Sequence, residues 1–200
     1  MGLGEVTAAP QPDLQAVREA GRRGFIAMIL SLVGALIPYI GPVISIVGAV
    51  LLLIALHGLA QELGERRIFM YAIYVLVISV VAALLGMAAL VMGVLSGHIL
   101  GTAIGALFAL YLVLVIDGYL FRSIFTMLSE RTASLSQDSS QNFSSAAKWY
   151  WIGALLVIVI VGAVLVIVGE VYAIMAFDAL SKVEAPQPSL VPPSSSGLPP

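Results

Sequence analysis

The chain contains no cysteine, so disulfides, thiolate metal sites and cysteine nucleophiles are all excluded. It is also poor in charge: Asp, Glu, Lys and Arg together make up 10 % of its residues, well under half of what soluble domains carry. With His57 and His98 as its only histidines, no metal cluster is expected. The zinc-protease HExxH, the phosphate-binding Walker loop and the G-x-S-x-G nucleophile elbow are absent as well, so neither an enzyme nor a cofactor is indicated. A net charge of −2 with dispersed basic residues leaves no footprint for nucleic acid.

What remains is apolar. Hydrophobic residues make up 60 % of the chain, and the mean hydropathy is +1.08. Between Arg67 and Arg122 the only charged residue is Asp117, and between Lys148 and Asp178 it is Glu170. Segments 69–95, 99–119 and 149–177 therefore reach or exceed the ~20 residues that a bilayer-spanning helix needs. A further apolar stretch, 24–57, is interrupted by Pro38, Gly41 and Pro42, which read as a tight turn between two short arms. Such a hairpin either reaches the far boundary of the bilayer or is re-entrant and shielded by its neighbours. The expected fold is all-α: a polytopic helical membrane protein with five membrane-embedded passes, the first two forming the short hairpin.

Lys and Arg accumulate on cytoplasmic loops. Five passes put Arg18, Arg22, Arg23, Arg66, Arg67, Arg122, Arg131 and Lys148 on one side and Lys182 on the other, whereas four passes leave no bias. This predicts a multi-pass protein of the cell membrane with a cytoplasmic N-terminus and an external C-terminus. Residues 1–12 and the Pro/Ser-rich 183–200 read as disordered tails around a helical domain over 13–182. Asp13 is placed to cap a short surface helix with Leu14, Val17 and Gly21 on one face. The polar stretch Ser129 to Ala147 reads as the largest cytoplasmic loop. Just after it, Lys148-Trp149-Tyr150-Trp151 places amphipathic rings at headgroup level.

Gly48-Ala49-Val50-Leu51-Leu52-Leu53-Ile54-Ala55-Leu56, then Leu59, Gly64 and Ile68-Phe69, with Gly153-Ala154-Leu155-Leu156, Gly162 and Ala176-Phe177, carry a resemblance. Over roughly residues 24–180 the chain resembles the domain of unknown function 996 family of small prokaryotic, largely archaeal, integral membrane proteins. The resemblance implies a polytopic helical fold and no assigned activity. A faint internal repeat relates Leu59-Ala60-Gln61-Glu62 and Ile68-Phe69 to Leu128-Ser129-Glu130 and Asn142-Phe143.

Candidate functional residues are those a membrane makes costly or special. Asp117 is expected near the cytoplasmic boundary, within reach of Arg122 or His57, and Glu170 and His98 towards the external side. Ionisable groups inside a membrane mark ion pathways unless they are paired or hydrated at an interface. Ser96-Gly97-His98 has turn composition rather than nucleophile-and-base geometry. Gly101, Gly105 and Ala109 recur every four residues, and Gly162 and Gly169 line a second face; small residues of this kind let membrane helices pack closely, within one chain or between copies. Two roles follow: a structural or interaction protein whose candidate partners are the lipid bilayer, an unknown protein and, in a homo-oligomer, further copies of itself, or a small oligomeric transporter or channel using an intramembrane carboxylate.

Overall fold

The computed structural model describes residues 12–37, 39–157 and 160–183. Pro38 and both tails, apart from Pro12 and Val183, lie outside the described residues. Among those described, the chain forms six helices: α1 (Leu14–Leu36), α2 (Gly41–Glu62), α3 (Arg66–Ser96), α4 (Ile99–Thr132), α5 (Gln137–Leu156) and α6 (Ile160–Ser181). Four of them, α2, α3, α4 and α6, are long and apolar enough to cross a membrane.

Each helix packs antiparallel against its chain neighbours, and α6 returns to pack against α1, so the six form a closed up-and-down ring. Antiparallel neighbours follow from short connections, which leave no length for a crossover. The thinnest contact in the ring is the one between α2 and α3.

The first helix starts where Asp13 caps it, its Oδ1 accepting from the Gln15 backbone at 2.8 Å. It does not stop as a short surface helix; Val17 is fully buried and the helix continues into the apolar arm up to Leu36. The expected turn then follows. Tyr39 takes a left-handed φ of 69°, and the Gly41 amide donates to Ile37 at 3.0 Å. Pro42 is the second residue of α2, where the amide it lacks would have had no helical partner.

The expected single pass over 149–177 is replaced by two helices. α5 ends at Leu156 and α6 begins at Ile160. Glycine is the physical reason: a Cβ on Gly162 would run into the backbone of Leu156 and Val157, and one on Gly153 would come within 2.7 Å of the Val166 amide. The two backbones therefore approach at a distance no side chain permits. The α1–α2 hairpin uses the same device, with Gly34 against Gly41, while a Cβ on Gly48 would come within 3.0 Å of Ala27 and Ser31 backbone atoms.

This second hairpin brings the chain back, so the described ends meet at one end of the bundle rather than at opposite ones. Arg18 Nε and Nη2 both donate to the Val183 carbonyl, at 3.1 and 2.6 Å. A Cβ on Gly21 would come within 2.8 Å of the Ser181 amide, and Phe177 fills the space beside Gly24. The described ends thus lie together, where five passes were expected to separate them.

The buried core sits at that same end. Phe125, Phe143, Phe177, Leu56, Leu59, Ile68 and Leu128 are all essentially inaccessible. Phe125 lies 5.9 Å from Phe143, which meets Phe177 edge-on at 5.1 Å, linking α4, α5 and α6 through one row of rings. The expected loop over 129–147 is helical except for the short connection 133–136, because its serines serve packing. Ser139 Oγ donates to the Ala176 carbonyl at 3.0 Å, and Ser129 and Ser140 bond each other's carbonyls at 2.8 Å. Each hydroxyl finds a backbone acceptor, so burying these groups carries little penalty.

Away from the core the helices open out. Tyr111 of α4 reaches the Leu155 carbonyl at the end of α5. Beyond it α4 continues from Tyr111 to Ile99, ~18 Å at 1.5 Å per residue. There Leu84, Leu95, Leu100, Leu107 and Phe108 are exposed. Gly101 and Gly105 have nothing within 4 Å of a built Cβ, and Ala109 is exposed, so this face is open rather than packed within the chain as expected. Within the chain, the small-residue pattern on α4 meets no partner.

These two classes of glycine separate in a stability measurement. Gly162→Val forces a branched side chain into backbone and is expected to abolish folded protein or to lower the thermal midpoint in detergent steeply, overpacking alone costing about 1–3 kcal/mol. Gly105→Leu is expected to leave the midpoint unchanged. A loss in Gly105→Leu as large as that in Gly162→Val would mean that the distal α4 face is covered.

Candidate functional site

Asp117 is the only charged residue from 68 to 121, and Ser79 the only Ser or Thr from 69 to 95. The α3–α4 hairpin brings these two together: Ser79 Oγ donates to Asp117 Oδ2 at 2.8 Å. The other carboxyl oxygen, Oδ1, is buried without a hydrogen-bond partner. Neither partner expected from the sequence reaches it. The Arg122 guanidinium lies over the Trp151 ring, 5.6 Å from its centroid, and His57 is held by the Phe69 ring at 4.5 Å and by Gln61 at 3.1 Å. Asp117 is also deeper than expected, since its partner Ser79 lies ~20 Å along α3 from Arg66.

Beside this pair, between α2 and α3, lies a cavity of about 150 Å³. One face of α2 from Ala49 to Leu56 and one face of α3 from Ala72 to Ser79 form its walls, and Phe121 of α4 stands behind them. Helical spacing places both rows: 49, 52, 53 and 56, and 72, 75, 76 and 79, repeat at i, i+3, i+4 and i+7.

Glu170 lies beside Tyr150 across the α5–α6 hairpin. Because α6 runs back towards the core end, Glu170 sits level with the aromatic row and not towards the far side as expected. Tyr150 is mostly buried, stacking on Phe121 at 5.3 Å, while Trp149 and Trp151 stay partly accessible. Gly169 lets this happen, for a Cβ there would meet the Tyr150 ring and backbone. Gly162 serves the turn described above.

His98 is exposed at the tip between α3 and α4, where Gly97 takes a φ of 72° and closes the helix. Its carbonyl accepts from Thr102 Oγ1 at 2.9 Å. Glu170, Asp117, His57 and His98 thus occupy four separate places. Among the described residues no group of three His, Asp or Glu side chains could hold a metal ion. Sequence reasoning missed Ser79 and Tyr150. A lone hydroxyl in one apolar run and a lone carboxyl in the next was the available signal for the first; nothing in the Lys-Trp-Tyr-Trp pattern distinguished the ring that turns inward.

A ring of apolar helices with two lone carboxyls, one of them tied to a hydroxyl on the neighbouring helix, defines a helical protein with membrane-competent segments. Over residues 44–171 the chain matches the family described as Protein of unknown function (DUF996), and it belongs to that family. The matched stretch holds the cavity and both carboxyls. An uncharacterized protein of the archaeon Methanocaldococcus jannaschii is similar, 27 % identical over 173 residues that cover 82 % of this chain and 93 % of the relative. No solved structure matches the chain.

The Ser79–Asp117 bond is expected to stabilise the α3–α4 hairpin by about 1–3 kcal/mol. Ser79→Ala should therefore lower the denaturation midpoint in detergent in the wild-type background and much less in an Asp117→Ala background. Additive losses in the double-mutant cycle would show that the two groups do not interact.

Proposed function

We propose that this protein is an integral membrane protein with a structural or interaction role and no catalytic activity, seated with its core end in the cytoplasm. One observation carries this: the helical returns gather all nine Lys and Arg residues at the core end, while 24–61, 68–116 and 149–169, which build the three hairpins, contain no charged residue. A second pair of observations supports the structural side of the reading. Of the two groups a transport pathway would need, Asp117 ties α4 to α3 through Ser79, and Glu170 lies beside Tyr150 of α5.

In this seating α3 and α4 cross the bilayer, with their exposed leucines and Phe108 facing lipid chains. The hairpins α1–α2 and α5–α6 enter from the cytoplasmic side and return to it, whatever depth their tips reach. Both described ends, Pro12 and Val183, are then cytoplasmic. The lipid bilayer is the first partner. Association with a further copy falls to the open face of Gly101, Gly105 and Ala109, which offers close backbone approach.

The absence of native cysteine makes the seating directly testable. Single cysteines replace the exposed residues Ser96, Ser134 and Lys182, and an impermeant thiol reagent is applied to intact cells. Ser96→Cys should label, whereas Ser134→Cys and Lys182→Cys should label only after permeabilisation. Labelling of Lys182→Cys but not Ser134→Cys on intact cells would restore an odd number of passes and sink the proposal. For self-association, Gly105→Leu should reduce oligomer size in mild detergent; an unchanged size leaves lipid as the partner of that face.

A further inference from the structure

The cavity between α2 and α3 occupies the thinnest seam of the ring. Apolar cavities of about this size take a single aromatic ring or an equivalent hydrocarbon. Its lining is not purely hydrocarbon, however, because Ser79 supplies one polar side chain.

The hydrogen of that hydroxyl is committed to Asp117 Oδ2 at 2.8 Å. Towards the cavity Oγ therefore presents lone pairs and can only accept. Behind it, Asp117 Oδ1 is buried with no protein partner, and an incompletely satisfied buried carboxyl favours a nearby donor or positive charge. Arg122 does not supply it, being drawn over Trp151. A metal ion is a poor fit, since hard cations need several oxygen ligands and the cavity wall carries one side-chain oxygen. An anion would be repelled by Asp117, and a plain hydrocarbon would leave Ser79 and Asp117 as they are.

The geometry points to a binding site for a small organic ammonium, a protonated primary amine with an aromatic or short alkyl body. The body fills the space between Ala49, Leu53, Ala72 and Phe121, and the ammonium donates to Ser79 beside Asp117. This site stands apart from the structural role above, since it needs neither a cytoplasmic seating nor association of copies. It uses features on three helices, α2, α3 and α4, so occupancy would also bind the thinnest seam together.

The test uses the full chain purified in detergent micelles, with fluorine NMR of three probes of similar shape: 4-fluorobenzylammonium, neutral 4-fluorotoluene and anionic 4-fluorobenzoate, each referenced to empty micelles. The ammonium should bind saturably and about tenfold or more tighter than the toluene, and the benzoate should not bind. Asp117→Asn and Ser79→Ala should each weaken the ammonium by about tenfold while leaving the toluene unchanged, and Ala49→Leu, which fills the cavity, should remove both. Variants are compared at equal folded protein by elution profile; if Asp117→Asn does not fold, Ser79→Ala carries the comparison. The proposal is overturned if folded wild type shows no saturable ammonium binding, if ammonium and toluene bind alike, if Ser79→Ala binds the ammonium as wild type does, or if Ala49→Leu leaves its binding intact.

Discussion

The architecture depends on backbone-to-backbone contact at glycine. Apolar helices surrounded by an apolar medium gain little from hiding carbon, so their association rests on how closely they approach. Gly34 with Gly41, and Gly153 with Gly162, bring α1 to α2 and α5 to α6 at distances that exclude any side chain. Gly21 does the same for α1 and α6, which closes the ring by setting the first helix against the last. Without that third contact the two short hairpins would flank α3 and α4 independently, and Arg18 would have no Val183 carbonyl to hold.

From this constraint the distribution of packing follows. Where six helices converge, aromatic rings and leucines interlock, and even serine is admitted because each hydroxyl finds a carbonyl. Where only α3 and α4 continue, large apolar side chains are left outward with no protein to cover them. An exposed surface of that kind is untenable for a lone soluble chain and ordinary for one in lipid. The half-buried carboxyls of Asp117 and Glu170 stand apart from the charged groups at the core end. Ser79 ties Asp117 of α4 to α3 by a side-chain hydrogen bond.

The seam between α2 and α3 is the exception to close contact. No glycine pair joins these helices. Their facing rows are leucine, valine and alanine, which meet at one end and leave a cavity further along. The one polar side chain in that wall is bound to Asp117, whose Oδ1 is buried without a hydrogen-bond partner among the described residues, so the loosest contact and this unpartnered oxygen lie side by side.

The amino-acid sequence alone determined an all-helical chain with apolar helices long enough to cross a membrane, and the turn near Gly41, because run length, charge depletion and proline act locally or by composition. It also pointed to Asp117 and Glu170 as the groups in unusual surroundings, since each stands alone in a long apolar run. The number of helices after Lys148 was decided only by tertiary structure. Residues 149–177 contain no proline and read as one continuous span; what divides them is the fit of Gly162 against Leu156, a contact that exists only once the chain has folded back. The same holds for the partners of the carboxyls and for the difference between Gly162, which is packed, and Gly105, which is open. Periodicity identifies which residues share a helix face, but which faces meet depends on how all six helices are arranged around the ring.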